Sequence, residues 1–258
     1  MNIENQNILI TGANRGIGLG FAKACAKRKT NLILAIRKND DELIAELKNL
    51  GALSVVIIES DLSSRSGVEN LISKANTMKI DILFNNAGML TGGLLDEQKM
   101  DDIYQMLQVN VNSLIQLSHW AVGKMVAQKH GKIINHSSVS AVMHFPSATT
   151  YAASKAAVWA FTDCLEQELK GTGVSTLCLF TPGIKTRMFD EIDKLYSKNI
   201  EVPKDSISPD EYALKIISAI ESDQTYLEPV GMTGLAFKTA THFKSLFNFG
   251  VSKAFKGR

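Results

Sequence analysis

Thr11-Gly12-Ala13-Asn14-Arg15-Gly16-Ile17-Gly18 follows the apolar run Asn7-Ile8-Leu9-Ile10 and leads into a helical pattern from Leu19 to Lys27. Glycine admits positive φ and a close approach of the backbone, and the N-terminus of a helix offers unpaired N–H groups and a positive dipole to a pyrophosphate. The spacing is G-x-x-x-G-x-G rather than the G-x-G-x-x-G of the commoner dinucleotide fingerprint. Taken alone, such a turn is also compatible with a purely structural role.

The pattern repeats outward from this turn. Further apolar runs lie at 32–36, 54–58, 80–84, 132–134 and 175–180, and helical patterns at 42–50, 68–78, 100–129 and 151–169. Strands that are apolar throughout suggest burial on both faces. Strand–helix alternation at this spacing predicts an α/β fold, a single-domain Rossmann-type doubly wound parallel sheet with helices on both faces. No repeat or linker interrupts it, so residues 1–258 are read as one dinucleotide-binding and catalytic domain. Ligands of such a sheet bind beyond the carboxyl ends of the strands, so functional residues are expected just after the apolar runs.

Composition narrows the classes. A chain of 258 residues with 45% hydrophobic and 21% charged side chains is neither disordered nor collagen-like. Cys25, Cys164 and Cys178 are far apart and read as core positions, which argues against a disulfide framework and fits a reducing compartment. The five histidines show no metal-ligand spacing, and no metal is expected. A net charge of +2 gives no general attraction to nucleic acid. The charge-free stretch 133–154 contains Asn135, His136, Pro146 and several hydroxyl residues, so it does not read as a membrane span. With no basic and apolar leader at Met1, the expected location is cytoplasmic.

Arg37 closes the second apolar run, where the adenosine ribose lies in a fold of this kind. An acid there accepts bonds from a 2′-hydroxyl, whereas an arginine accommodates a 2′-phosphate. Arg15, inside the glycine turn, supplies a second cation; the plainer reading is that Arg37-Lys38 opens a solvated surface stretch. Farther on, Tyr151 and Lys155 stand one helical turn apart and share a face. A phenol exchanges protons poorly near neutral pH unless its phenolate is stabilised, which a fixed ammonium can do. The Ser138 hydroxyl could hold a carbonyl oxygen beside that phenol. His136, just before Ser137-Ser138, reads as a structural histidine.

Gly12-x-x-x-Gly16-x-Gly18, Asn85-Asn86-Ala87-Gly88, Ser138, Tyr151-Ala152-Ala153-Ser154-Lys155 and Pro182-Gly183 occur in the order of the short-chain dehydrogenase/reductase family, which the chain resembles over about residues 6–187. The resemblance implies Tyr151 as acid/base, Ser138 orienting a substrate carbonyl, and Lys155 lowering the tyrosine pKa while binding the nicotinamide ribose. It implies Asn110 as the fourth member of a tetrad, holding a relay water. Cofactor contacts would come from Gly12, Asn14, Arg15, Gly16, Ile17, Gly18, Arg37, Asp61, Leu62, Asn86, Ala87 and Gly88, with Pro182, Gly183, Ile184 and Thr186 beside the nicotinamide. Basic residues at the positions of Arg15 and Arg37 mark an NADP(H) preference. The expected reaction is hydride transfer between NADP(H) and a small-molecule carbonyl or alcohol, in a homodimer or homotetramer. A lyase on the same scaffold, resembling the halohydrin dehalogenases, and a non-catalytic NADP-sensing protein are the alternatives. Lys155 and the intact Gly12, Gly16 and Gly18 speak against the first, and the complete tetrad against the second.

Two regions stand apart. Residues 187–210 are expected to form a substrate loop, and Val139 to Phe145 with Met188 and Phe189 to border an apolar cleft. Residues 229–258 carry five of the eleven phenylalanines, and after Glu228 five Lys or Arg and no acid. Phe243, Leu246 and Phe247, with Thr239, fall on one helical face. Packing over the cleft or against another subunit is the favoured reading of this segment, and contact with an anionic membrane surface the alternative.

Overall fold

The computed structural model describes residues 1–196, 198, 199 and 206–257. Its centre is a seven-stranded, wholly parallel sheet in the order β3-β2-β1-β4-β5-β6-β7. The strands are β1 (Asn7–Thr11), β2 (Asn31–Ile36), β3 (Ser54–Glu59), β4 (Ile82–Asn85), β5 (Gly131–His136), β6 (Val174–Leu179) and β7 (Tyr226–Leu227). The helices are α1 (Gly16–Ala26), α2 (Asp41–Asn49), α3 (Arg65–Ala75), α4 (Met100–Leu107), α5 (Ser113–Gln128), α6 (Thr149–Glu168), α7 (Arg187–Tyr196), α8 (Pro209–Glu221), α9 (Gly231–His242) and α10 (Lys244–Ala254). The sheet runs outward in both directions from the β1/β4 pair, so the order of strands reverses there and opens a crevice above their carboxyl ends.

Strand alternation divides the core. Ile8 and Ile10 of β1 point into one layer with Phe21, Cys25 and the α8 residues Tyr212 and Ile216. Leu9 points the other way, towards Leu71 of α3, Leu117 of α5 and Leu165 of α6. Both faces of the inner strands are therefore covered. β3 differs: Val56 is 40% exposed, because β3 is an edge strand with a neighbour on one side only.

The long helical pattern 100–129 holds as one helical run, with a π-turn over Gln108–Asn112 between α4 and α5. Two other sequence expectations change. Cys164 is exposed rather than core, on the outer face of α6, while Cys25 and Cys178 are buried. The C-terminal aromatics do not share one face: the chain breaks at Phe243, which caps α9 and opens α10, leaving Phe243 and Leu246 exposed and Phe247 half-buried. Helix α8 has no counterpart among the sequence expectations. Ser208-Pro209-Asp210-Glu211 nevertheless carries its start signal: the Ser208 hydroxyl accepts from the Glu211 N–H at 3.1 Å, and Pro209 opens the first turn.

Helices α1 and α8 pack tightly because Gly20 has no side chain. A Cβ there would lie 2.9 Å from the Pro209 carbonyl oxygen. Gly20→Ala should therefore lower unfolding free energy by about 1–3 kcal/mol through overpacking, read as an earlier urea midpoint at unchanged slope. An unchanged midpoint would mean that α8 moves away at no cost.

Candidate active site

The glycine turn is shaped by contacts across the switch point. Gly12 and Gly16 take φ of +65° and +54°, and a Cβ on Gly12 would come within 3.1 Å of the Ala87 Cα. Gly18 faces the turn from below: its Cβ would fall 2.5 Å from the Asn86 amide nitrogen. Thr11 and Asn86 hold the two strand ends together. The Thr11 hydroxyl accepts from the N–H groups of Asn86 and Ala87, each at 2.9 Å. The Asn86 side-chain amide donates to the carbonyls of Thr11 (2.8 Å) and Gly12 (3.1 Å).

A cavity of about 560 Å³ lies over this turn. Gly12, Asn14, Arg15, Gly16 and Ile17 line one wall, Arg37 and Asp61-Leu62 the end nearest β2 and β3, and Asn86-Ala87-Gly88 the floor. Thr186 lies opposite, its methyl 3.3 Å from where a Gly16 Cβ would be. Helix α1 starts at this cavity with no side-chain cap and no acid in its first turn. Its N–H groups and dipole are left to the cavity, beside the guanidinium groups of Arg15 and Arg37. Glycine walls, unpaired helix donors and two exposed arginines are the donor set that a dinucleotide with an added phosphate requires, so the residues fit NADP(H). Pro182, Gly183 and Ile184 are placed less directly. Ile184 is buried in the main core, and this stretch is held by pairing to Ile207.

Beyond the floor lies the chemistry. Ser138 follows β5; its hydroxyl accepts from the Ser140 N–H (3.1 Å) and lies near enough to the Tyr151 phenol to favour its ionised form. Tyr151 and Lys155 are both buried on the inner face of α6. The Lys155 ammonium donates to the His136 carbonyl at 2.8 Å and lies 5.6 Å from the centre of the Tyr151 ring. Burial pushes the phenol up to about 12 despite the opposing effect of the nearby Ser138 hydroxyl, and burial brings Lys155 down to about 8. The ammonium, held by the His136 carbonyl, does not offset the desolvation of the tyrosine, so the Tyr151 phenol is protonated at neutral pH.

Asn110 sits in the π-turn, a backbone irregularity frequent at functional sites, and is buried. Its amide clasps Met89 in both directions, accepting from the N–H at 2.8 Å and donating to the carbonyl at 2.9 Å, and also donates to Ser154. Gly88 lies between these groups: a Cβ there would be 3.6 Å from the Asn110 Oδ1 and 3.9 Å from the Lys155 Nζ, ordinary contact distances.

Two residues in the site lay outside the sequence assignment of its members. His136 lines the cavity, with its ring stacked on Phe84. Its Nδ1 lies 3.2 Å from the Asn86 Oδ1, and because the Asn86 nitrogen is committed to two carbonyls, Nδ1 carries the proton. Tyr196 of α7 packs on Gly92, donates to the Thr91 carbonyl at 3.1 Å, and lies near Tyr151. A cavity-facing histidine had no motif signal, and Tyr196 is brought in only by the fold. Within the expected substrate region 187–210, positions 197 and 200–205 lie outside the described residues. Of the expected apolar cleft, Ala141, Val142 and Met143 are instead buried beneath Phe237 and Ala240 of α9.

Burial and the nearby Lys155 ammonium push the His136 pKa down to about 3. Nitrogen-15 NMR of the imidazole should show a neutral, Nδ1-protonated ring that does not titrate between about pH 5 and 8. Titration near the ordinary value of about 6.5 would show that the Asn86–His136 contact does not persist in solution.

The sequence profile of the short chain dehydrogenase family matches residues 6–196. An uncharacterised oxidoreductase of Staphylococcus saprophyticus is 32% identical over 86% of this chain and 93% of its own. A 3-oxoacyl-(acyl-carrier-protein) reductase of Rickettsia felis is 28% identical over 87% of this chain and 92% of the relative. Among solved structures, a Burkholderia cenocepacia short chain dehydrogenase in complex with NADP matches with a TM-score of 0.82 at 23% identity, covering 97% of this chain and 99% of that one. A Sphingobium yanoikuyae short-chain dehydrogenase in complex with NADPH matches with a TM-score of 0.79 at 22% identity, covering 94% and 95%. At these identities the structural matches speak for the fold.

Proposed function

The chain belongs to the short chain dehydrogenase family, and on that premise we propose that it is an NADP(H)-dependent oxidoreductase acting on the carbonyl or secondary alcohol of a rather hydrophobic small molecule. The observation that carries this reading is the buried Ser138–Tyr151–Lys155 cluster, set against a cavity that holds an uncapped helix N-terminus and two arginines. That two structural neighbours bind NADP or NADPH, and that a relative is named for reducing an oxoacyl group, is consistent with it.

When bound, the nicotinamide supplies or accepts the hydride, and the protein positions and tunes the remaining groups. In the reductive direction Tyr151 gives its proton to the substrate oxygen, a role suited to a phenol that stays protonated at neutral pH. Ser138 holds the same oxygen through a hydroxyl that lies near the phenol. Lys155 is anchored to the His136 carbonyl and donates from there towards a ribose. Asn110, whose side chain holds Met89 and Ser154, keeps the π-turn in place, where it is the fourth member of the tetrad. Arg15 and Arg37 hold the 2′-phosphate. Subunits pair through the outer faces of α5 and α6, where Ala153, Ala157, Ala160 and Cys164 leave a small-residue surface.

Tyr151→Phe removes the proton but keeps the ring, so turnover should fall by at least about 10²-fold while NADPH still binds in a fluorescence titration. Near-normal turnover would remove Tyr151 from the acid/base role. The unaltered protein should bind NADPH much more tightly than NADH, and Arg37→Asp should reverse the order, since it replaces a phosphate partner by an acceptor for a ribose hydroxyl. Preferential NADH binding by the unaltered protein would overturn the phosphate assignment and leave the oxidoreductase. Binding of neither would overturn both.

A further inference from the structure

The C-terminal helix pair has two different faces. Phe237 and Ala240 of α9 and Phe247 of α10 turn inward on to one cluster, where Phe247 meets Phe145 with ring centres 5.7 Å apart. The end of the chain is tied down as well, since the Asn199 side chain donates to the Gly257 carbonyl at 3.0 Å and accepts from Ser147 at 3.0 Å. This packing over the loop after Ser138 accounts for the inner face. It leaves the outer one unexplained. Met232, Leu235, Phe243, Leu246 and Phe249 are between 58% and 75% exposed, within eighteen residues.

We propose that the outward face of α9 and α10 docks on an anionic lipid bilayer surface. The apolar side chains of that face are interleaved with cations. Lys238 lies one turn from Leu235, Lys244 follows Phe243, and Lys253 stacks over Phe249 with its ammonium 4.4 Å from the ring centre. None of these three lysines has a carboxylate within salt-bridge distance among the described residues. No acidic residue follows Glu228 in the sequence. Helices with aromatic and aliphatic residues among lysines lie in the plane of a bilayer interface, where the apolar groups enter the acyl boundary and the cations meet lipid phosphates. The same charge pattern argues against self-association, because a two-fold contact would set this lysine-bearing patch against its own copy with no acid to oppose it. No helix among the described residues is long and apolar enough to cross a membrane, so the contact is peripheral.

The test is co-sedimentation of the full chain with vesicles of phosphatidylcholine alone and of phosphatidylcholine with about one-third phosphatidylglycerol. The chain should sediment with the anionic vesicles only, and should be released as salt rises from about 0.1 M to 1 M and the Debye length shortens from about 10 Å to 3 Å. Leu246→Ser/Phe249→Ser and Lys238→Gln/Lys253→Gln alter only exposed positions, so each should keep the melting temperature and NADPH binding yet weaken vesicle binding by about tenfold or more. No sedimentation with anionic vesicles, or equal sedimentation by the altered chains, would overturn the proposal. So would a fall in solution mass in Leu246→Ser/Phe249→Ser with vesicle binding unchanged, because a second copy would then be what covers the face.

Discussion

The clasp between Thr11 and Asn86 is the constraint on which the site depends. β1 and β4 are neighbours at the point where strand order reverses, and nothing in their ladder fixes how the chain leaves each strand. The Thr11 hydroxyl and the Asn86 amide fix it by taking up both N–H groups of the Asn86–Ala87 turn and both carbonyls of the Thr11–Gly12 turn. The backbones then lie so close that only glycine fits at 12 and 18. The remaining Asn86 oxygen reaches His136, whose carbonyl holds the Lys155 ammonium. One chain of hydrogen bonds thus runs from the nucleotide turn to the catalytic helix, and the two halves of the site are positioned by each other.

A second buried polar network lies beside that chain. Asn85 bonds Ser118 of α5 and Asn135 of β5, and Asn135 bonds Thr162 of α6. Buried amides and hydroxyls are costly when unpaired, and network members support one another in a low-dielectric interior. The network therefore sets the register of α5 and α6 against the sheet more narrowly than apolar packing would. α6 carries Tyr151 and Lys155, and the π-turn ahead of α5 carries Asn110. The shifted acidities of Tyr151 and Lys155 follow from the same burial. An ionisable pair placed this far from water is what a proton-transfer site needs and what a purely structural helix avoids.

The C-terminal segment adds a layer to this framework. Its inner face takes up Ala141, Val142 and Met143, side chains that follow Ser138 and would otherwise border the substrate cleft. Tyr196, seated on Gly92, lies near Tyr151. The packing that shapes the cleft is also what turns Phe243, Leu246 and Phe249 outward.

The alternation of buried strands and helices, the strand-to-helix glycine turn and the Tyr151/Lys155 spacing were legible in the sequence because each is local: periods of two and 3.6 residues, or one helical turn. Those signals determined the fold class and the positions around which the site forms. They did not reveal the start of α8 at Ser208, although its cap signal was present, nor the π-turn inside the 100–129 helical run, since a π-turn has no distinct hydrophobic period. Arg37 at a strand end was visible, but its place on the same cavity as Arg15 depends on β2 lying beside β1. His136, Tyr196 and Cys164 were decided by tertiary structure alone. His136 faces the cavity because Asn86 and Phe84 hold its ring, Tyr196 arrives by the fold of a segment forty-five residues downstream of Tyr151, and Cys164 is exposed because the outer face of α6 has no covering helix at that position. Side-chain periodicity tells which face of an element is apolar; which neighbour meets that face is decided only when the chain has closed.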